Sequence, residues 1–247
     1  MNSKIIRNKQ LNEIDYNDKR RTTALVLDVE TTLAEGNETA IFDLGYTISS
    51  VSNQEMVIHR NYLVEEIFMD MKLMSKAYYF NKYPQYIQAL ASGNVEIKPF
   101  NEIINIMNAD IKKYNVKTLY AYNSKFDSSA ITKTHKIING GHSALEYDIK
   151  CLWNLSTQTF MATQKFVLTA LEQEWLSPVG NIKTSAEIAH RYLTKQFDFI
   201  ESHTGLEDSV IETEILWAIN RYGKKKDPLK GGAPWIRIKK IKQEMGL

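Results

Sequence analysis

Four carboxylates and one imidazole stand in positions where their side chains could do chemistry together. In ALVLDVETTL, residues 24 to 33, an apolar run of strand type ends in Asp28 and Glu30. Residues i and i+2 of a strand share a face, so the two acids point the same way and repel each other unless a positive charge lies between them. Asp127 follows AYNSKF, and Asp208 lies inside GLEDSVIETEIL, whose Leu206, Val210 and Ile211 suggest burial on one face. Desolvation makes such carboxylates costly. Thr204 and Glu207 have the Thr-x-x-Glu spacing of a capping box, making Thr204 the N-cap and Glu207 the N3 residue. His203 and Asp208 then occupy the two positions that meet in a hydrophobic staple, and a polar pair there suggests a site. Four carboxylates with no cysteine or histidine cluster make a hard-oxygen environment suited to Mg²⁺ or Mn²⁺. Two such ions roughly 3.5 to 4 Å apart activate a water and stabilise a leaving oxygen in phosphoryl transfer. A nearby imidazole taking the water's proton contributes roughly 10² to 10⁴ in rate.

Each residue also has a plainer reading. Asp28 and Glu30 could be solvated charges at a strand end, Asp127 could cap its helix through the macrodipole, and Asp208 could be an ordinary first-turn acid. His59, His135, His142 and His190 have no partner at metal-ligand spacing and read as structural. Asp43 in IFDLGYTI is expected to face solvent or pair locally, and Asp148 to be structural. The Met-rich segment 67 to 76 reads as core packing. Tyr78, Tyr79, Phe80 and Tyr83 could stack on bases, but packing is the default.

The elements that must position these groups follow from hydrophobic patterning. Residues 22 to 32 read as a central strand, since Ala24, Leu25, Val26 and Leu27 are continuously apolar. Residues 41 to 50 and 56 to 64, joined by a VSNQE turn, complete an antiparallel meander. Residues 66 to 114 are helical in character, with Pro84 and Pro99 opening helices. A fourth strand is expected at 118 to 123, a helix near Phe126, a fifth strand at 146 to 153, and helices from 166 to about 222. This order predicts an α/β domain at 22 to 222, a mixed five-stranded sheet with helices on both faces. A polar N-terminal arm (1 to 21) precedes it, and a basic C-terminal tail (223 to 247) follows.

Composition narrows the class. The net charge of +2 hides an asymmetry: residues 221 to 247 carry nine Lys or Arg against Asp227 and Glu244. That local charge of +7 leaves −5 for the other 220 residues, and a basic tail holding Trp235 could grip a polyanion. Cys151 is the sole cysteine, which excludes an intramolecular disulfide and a multi-cysteine zinc site. No apolar run approaches ~18 residues and the N-terminus has no signal-peptide core, so the expectation is a cytoplasmic protein with no membrane partner.

Three stretches carry a family resemblance. ALVLDVETT resembles the DxExT first motif of the DEDDh exonucleases, AYNSKFD their second motif, and HTGLED their His-x4-Asp third motif. These belong to the ribonuclease H-like superfamily that includes the proofreading subunit of bacterial replicases, RNase T and oligoribonuclease. The likeness spans roughly residues 22 to 220; any one motif is weak, but three in order on the expected elements are specific. The resemblance implies a ribonuclease H-like fold and two-metal removal of nucleoside 5′-monophosphates from a single-stranded 3′ end of DNA or RNA. It implies Asp28, Glu30, Asp127 and Asp208 as ligands of two Mg²⁺ or Mn²⁺ ions and His203 as general base. It also implies that Val29, Thr31, Thr32, Asn123 and Phe126 hold the substrate, and it admits a homodimer. The tyrosine branch places Tyr four residues before the last aspartate, where this chain has Thr204; His203 five before selects the histidine branch. Two departures, Leu33 where glycine is frequent and a long segment between the first two motifs, bear on substrate choice. Two alternatives are a non-catalytic nucleic-acid-binding or interaction protein on this fold and a ribonuclease H-type endonuclease.

Overall fold

The computed structural model describes residues 22–34, 36, 38–141, 147–222, 239–240 and 242–246. The expected N-terminal arm, His142, Trp235 and nearly all of the basic tail lie outside the described residues.

The apolar run at Ala24–Leu27 becomes the centre of a mixed sheet. Strands β1 (Thr23–Leu33), β2 (Thr39–Ser50) and β3 (Glu55–Val64) form the antiparallel meander, and β5 (Thr118–Ala121) and β6 (Ile149–Cys151) extend it in parallel beyond β1. The spatial order is β4-β3-β2-β1-β5-β6. The expected count of five strands is therefore corrected to six. Strand β4 (Glu96–Lys98) pairs in parallel with the end of β3. Three residues carry too little alternation to be recognised before they find a partner.

Nine α-helices are described: α1 (Glu65–Phe68), α2 (Met71–Met74), α3 (Tyr83–Ala91), α4 (Phe100–Lys113), α5 (Lys125–Asn139), α6 (Leu152–Gln158), α7 (Gln164–Glu172), α8 (Ala186–Thr194) and α9 (Gly205–Arg221). Period-2 alternation of β1 divides the core between the sheet's two faces. Leu25, Leu27 and Val29 join Phe42, Tyr46, Ile103, Met107 and Ile131 in one cluster, whereas Ala24 and Val26 join Leu152, Phe160, Phe166, Ala189 and Ile215 in the other. The even-numbered positions of β1 thus face the side that carries α6 to α9. Asp28 and Glu30 continue that even series. The Met-rich stretch behaves differently from the expectation of core packing: Met74 is buried, but Met69 and Met71 are exposed, because α1 and α2 are single turns lying on the surface. Among the described residues no helix is long and apolar enough to cross a membrane.

Candidate active site

The end of β1 meets the start of α9 where a glycine makes room. Asp28 pairs in register with Gly45, and Glu30 with Asp43, just before the irregularity that shifts the β1–β2 register after Glu30. A Cβ on Gly45 would lie 2.0 Å from the carbonyl carbon of Gly205, and one on Gly205 would lie 2.5 Å from the Gly45 nitrogen. The backbone of the first α9 turn therefore rests directly on β2, a closeness only two glycines permit. Two turns farther along α9, a Thr47–Thr213 hydroxyl contact of 2.5 Å holds the helix to the same strand.

Asp43 is fully buried, which corrects the expectation that it faces solvent. Its Oδ2 accepts the Gly205 N–H at 2.9 Å and the Tyr86 hydroxyl at 2.8 Å, so it caps the helix from the neighbouring strand. Thr204 is the N-cap residue, as its spacing to Glu207 predicts. Its hydroxyl, however, donates to the Glu207 carboxylate at 3.2 Å rather than accepting from the backbone. A signal for Asp43 was present, since IFDLGYTI is otherwise apolar enough to be buried on both faces.

Asp208 then projects from α9 toward Asp28 and is buried, and His203 lies beside it with Nδ1 3.9 Å from Asp208 Oδ2 and 3.9 Å from Glu201 Oε2. Glu30, His203 and Asp208 each place a ligating atom within 4.8 Å of the others. Asp127 comes from the first turn of α5, 1% exposed, and its Oδ2 has no hydrogen-bond partner. The structure thus brings together all five residues singled out by type and spacing.

Asp28, Glu30, His203 and Asp208, with others, floor and wall a cleft of about 440 Å³, whereas the buried Asp127 is not among its lining residues. Val29, Asn123 and Phe126 line it, whereas Thr31 and Thr32 do not. Thr32 is buried beneath α2 with its hydroxyl donated to the Leu73 carbonyl at 2.5 Å, so the expected contact of Thr32 with substrate is corrected to a structural bond. Thr31 is half-buried outside the cleft. Residues that the motifs did not reveal are Tyr79, Tyr122, Trp153, Thr184, Glu201 and Glu212. Glu212 is one helical turn beyond Asp208, a spacing that puts both on one face, and its Oε2 accepts the Tyr122 N–H at 2.9 Å. Trp153 Nε1 donates to Thr184 Oγ1 at 2.9 Å, and the Tyr122 hydroxyl donates to the Thr184 carbonyl at 2.6 Å, which fixes the opposite wall.

The electrostatics are those of an anion cluster short of positive charge. Burial, then the charges of Glu212, Asp127, Asp208 and Glu30, raises Asp28 far above the usual carboxylate range. Burial and the opposing Asp43 push Glu30 up to about 8, with Lys82 pulling the other way. Burial pushes Asp127 up to about 8 against the pull of the Val29 and Asp127 backbone N–H groups. Burial, Glu201 and Glu30 push Asp208 up to about 8, and burial and Glu187 push Glu201 up to about 7. Glu212 is raised by burial and Asp127. Burial and the Lys82 charge lower His203, against an opposing pull from Glu187. A buried carboxylate oxygen without a donor, surrounded by other carboxylates, fits a hard divalent cation.

No protein-family model matches the chain, and no curated protein does. Solved structures do match. A full-length 3′-exonuclease is 13% identical over 82% of this chain and 83% of its own, with a TM-score of 0.53. The nuclease domain of 3′hExo, a DEDDh family member bound to rAMP, is 12% identical over 85% of this chain and 100% of its own, with a TM-score of 0.53. E. coli exonuclease I in complex with a 5cy-dT13 oligonucleotide is 11% identical over 81% of this chain and 41% of its own, with a TM-score of 0.50. The six-stranded α/β sheet with helices on both faces is accordingly the fold that these exonuclease structures share.

Proposed function

We propose that the protein is a metal-dependent 3′–5′ exonuclease that hydrolyses terminal phosphodiesters of DNA or RNA to nucleoside 5′-monophosphates. One observation carries the proposal: carboxylates from β1 and α9 converge with the His203 imidazole on one cleft, and close to them a buried Asp127 oxygen has no donor. The names of the fold's neighbours support it, since one is bound to rAMP and another to an oligonucleotide.

Asp28, Glu30, Asp127 and Asp208 would hold two Mg²⁺ or Mn²⁺ ions. Bound there, the ions supply charge neutralisation at the phosphate and a more acidic water. His203 Nδ1 is turned toward Glu201 and Asp208, which leaves Nε2 to take the proton of the attacking water. The two carboxylates stabilise the imidazolium that results. The water oxygen bonds to phosphorus, the bond to the upstream 3′-oxygen breaks, and the proton goes to that oxygen as it leaves. Asn123 and Phe126 at the cleft rim would orient the terminal nucleotide, Phe126 offering an exposed ring for stacking.

Matched linear and circular single strands test the direction of attack. The linear strand is expected to shorten from its 3′ end while the circle persists. Loss of the circle at a comparable rate would instead establish an endonuclease.

A further inference from the structure

We propose that Tyr79, anchored by Lys82, is the residue that positions the His203 imidazole for proton transfer, a role that rests on the reading of His203 as the base. His203 sits in the loop before α9 with its backbone in the left-handed region, at φ +51°. Its polar neighbours, at 3.9 Å, are too distant to fix the ring by hydrogen bonding. The Tyr79 ring does so instead: the two rings are stacked, with centroids 4.4 Å apart and planes inclined by 13°.

Tyr79 is itself braced. Tyr78 packs edge-on against it, with centroids 4.8 Å apart at 90°. The Lys82 ammonium lies 4.7 Å from the Tyr79 ring centre and donates to the carbonyl of Ser202, the residue immediately before His203. One short segment between α2 and α3 thus grips two consecutive residues of the catalytic loop, Ser202 by its backbone and His203 by its ring. A left-handed non-glycine residue persists only where its surroundings over-determine it, and this bracket does so. General bases contribute roughly 10² to 10⁴ in rate, and a displacement of about 1 Å can cost 10². Releasing the ring therefore lowers turnover rather than substrate affinity.

The test compares Tyr79→Phe, which keeps the ring, with Tyr79→Leu, which removes it, alongside His203→Ala, all in the full chain with Mn²⁺. Tyr79→Leu is expected to lower kcat roughly 10- to 100-fold with KM changed less than about threefold, and Tyr79→Phe to restore wild-type kcat within about twofold. Proton NMR adds a readout independent of turnover. The His203 ring C–H signals, identified by their loss in His203→Ala, should lie upfield through the Tyr79 ring current in wild type and in Tyr79→Phe. In Tyr79→Leu they should move downfield. Unchanged kcat in Tyr79→Leu, a change confined to KM, or an unmoved His203 signal would overturn the positioning role while leaving His203 as base. Full activity of His203→Ala would overturn the base assignment and the positioning role with it.

Discussion

Asp28 concentrates the electrostatic problem of the site. Its buried carboxylate is surrounded by the acids Glu30, Asp127, Asp208 and Glu212, so ionisation there is opposed by desolvation and by four neighbours of like sign. Removing one charge should act in opposite directions on stability and on activity. Asp28→Asn and Asp208→Asn are expected to lower kcat by more than about 10³-fold, the order by which a two-ion site exceeds its residual chemistry. The same variants should raise the metal-free melting temperature at neutral pH by a few degrees, because a buried acid that must take up a proton on folding is gone. Calorimetric melting in chelator, paired with a nuclease assay in Mn²⁺, checks both. Wild-type rates in either variant would remove that carboxylate from the ligand set. Asp28, Glu30, His203 and Asp208 stood out from type and spacing, because DVE on a strand and His-x4-Asp at a helix start are local patterns, whereas Asp127 alone read equally well as a helix-capping acid. Glu201 did not stand out, and Tyr79 stood out only as one of four aromatics that could stack on bases, since their place in the cleft follows from how separate loops pack.

Helix α9 carries Asp208 and follows directly on His203, and its seat on β2 decides where they point. Gly45 and Gly205 let the backbones touch, and Asp43 closes the contact by accepting the first N–H of the helix. Gly45→Ala should therefore displace the first α9 turn, since its Cβ would fall 2.0 Å from backbone that cannot rotate aside. Overpacking of this kind costs about 1 to 3 kcal/mol or more. The expected outcome is a clear drop in melting temperature with a larger loss of kcat than of stability, measured on the same preparation. A stable and active Gly45→Ala would show that the close seat is dispensable. The start of α9 was readable from the spacing of Thr204 and Glu207, but the capping partner was not. A cap supplied by Asp43 from another strand leaves no local signature, just as three-residue β4 leaves no periodicity.

At the scale of the molecule, protons and cations compete for one cluster. Glu30, Asp127 and Asp208 titrate near 8 in the folded chain, against ordinary values of 4.5, 3.8 and 3.8. Between about pH 4 and 8 the folded state therefore holds protons that the unfolded chain has released. The associated stability is full below pH 4 and is lost as pH rises toward 8. The metal-free melting temperature should fall from pH 5 to pH 8, and saturating Mn²⁺ should reverse the fall at pH 8, since at 100 times Kd a ligand adds about 2.7 kcal/mol. A flat curve in chelator would contradict the charge cluster. The basic tail acts on a longer range. Truncation after Tyr222 removes eight Lys or Arg, and if these contact phosphates it should weaken nucleic-acid binding and flatten its salt dependence. An unchanged slope in a binding titration would assign the tail another role.

Exonuclease action is decided by following a 5′-labelled linear single strand with the purified protein in Mn²⁺ and identifying what is released. The expected result is a ladder shortened one nucleotide at a time from the 3′ end, nucleoside 5′-monophosphates as product, and complete arrest by chelator. A strand left intact over hours in Mn²⁺, or internal fragments in place of mononucleotides, would contradict it.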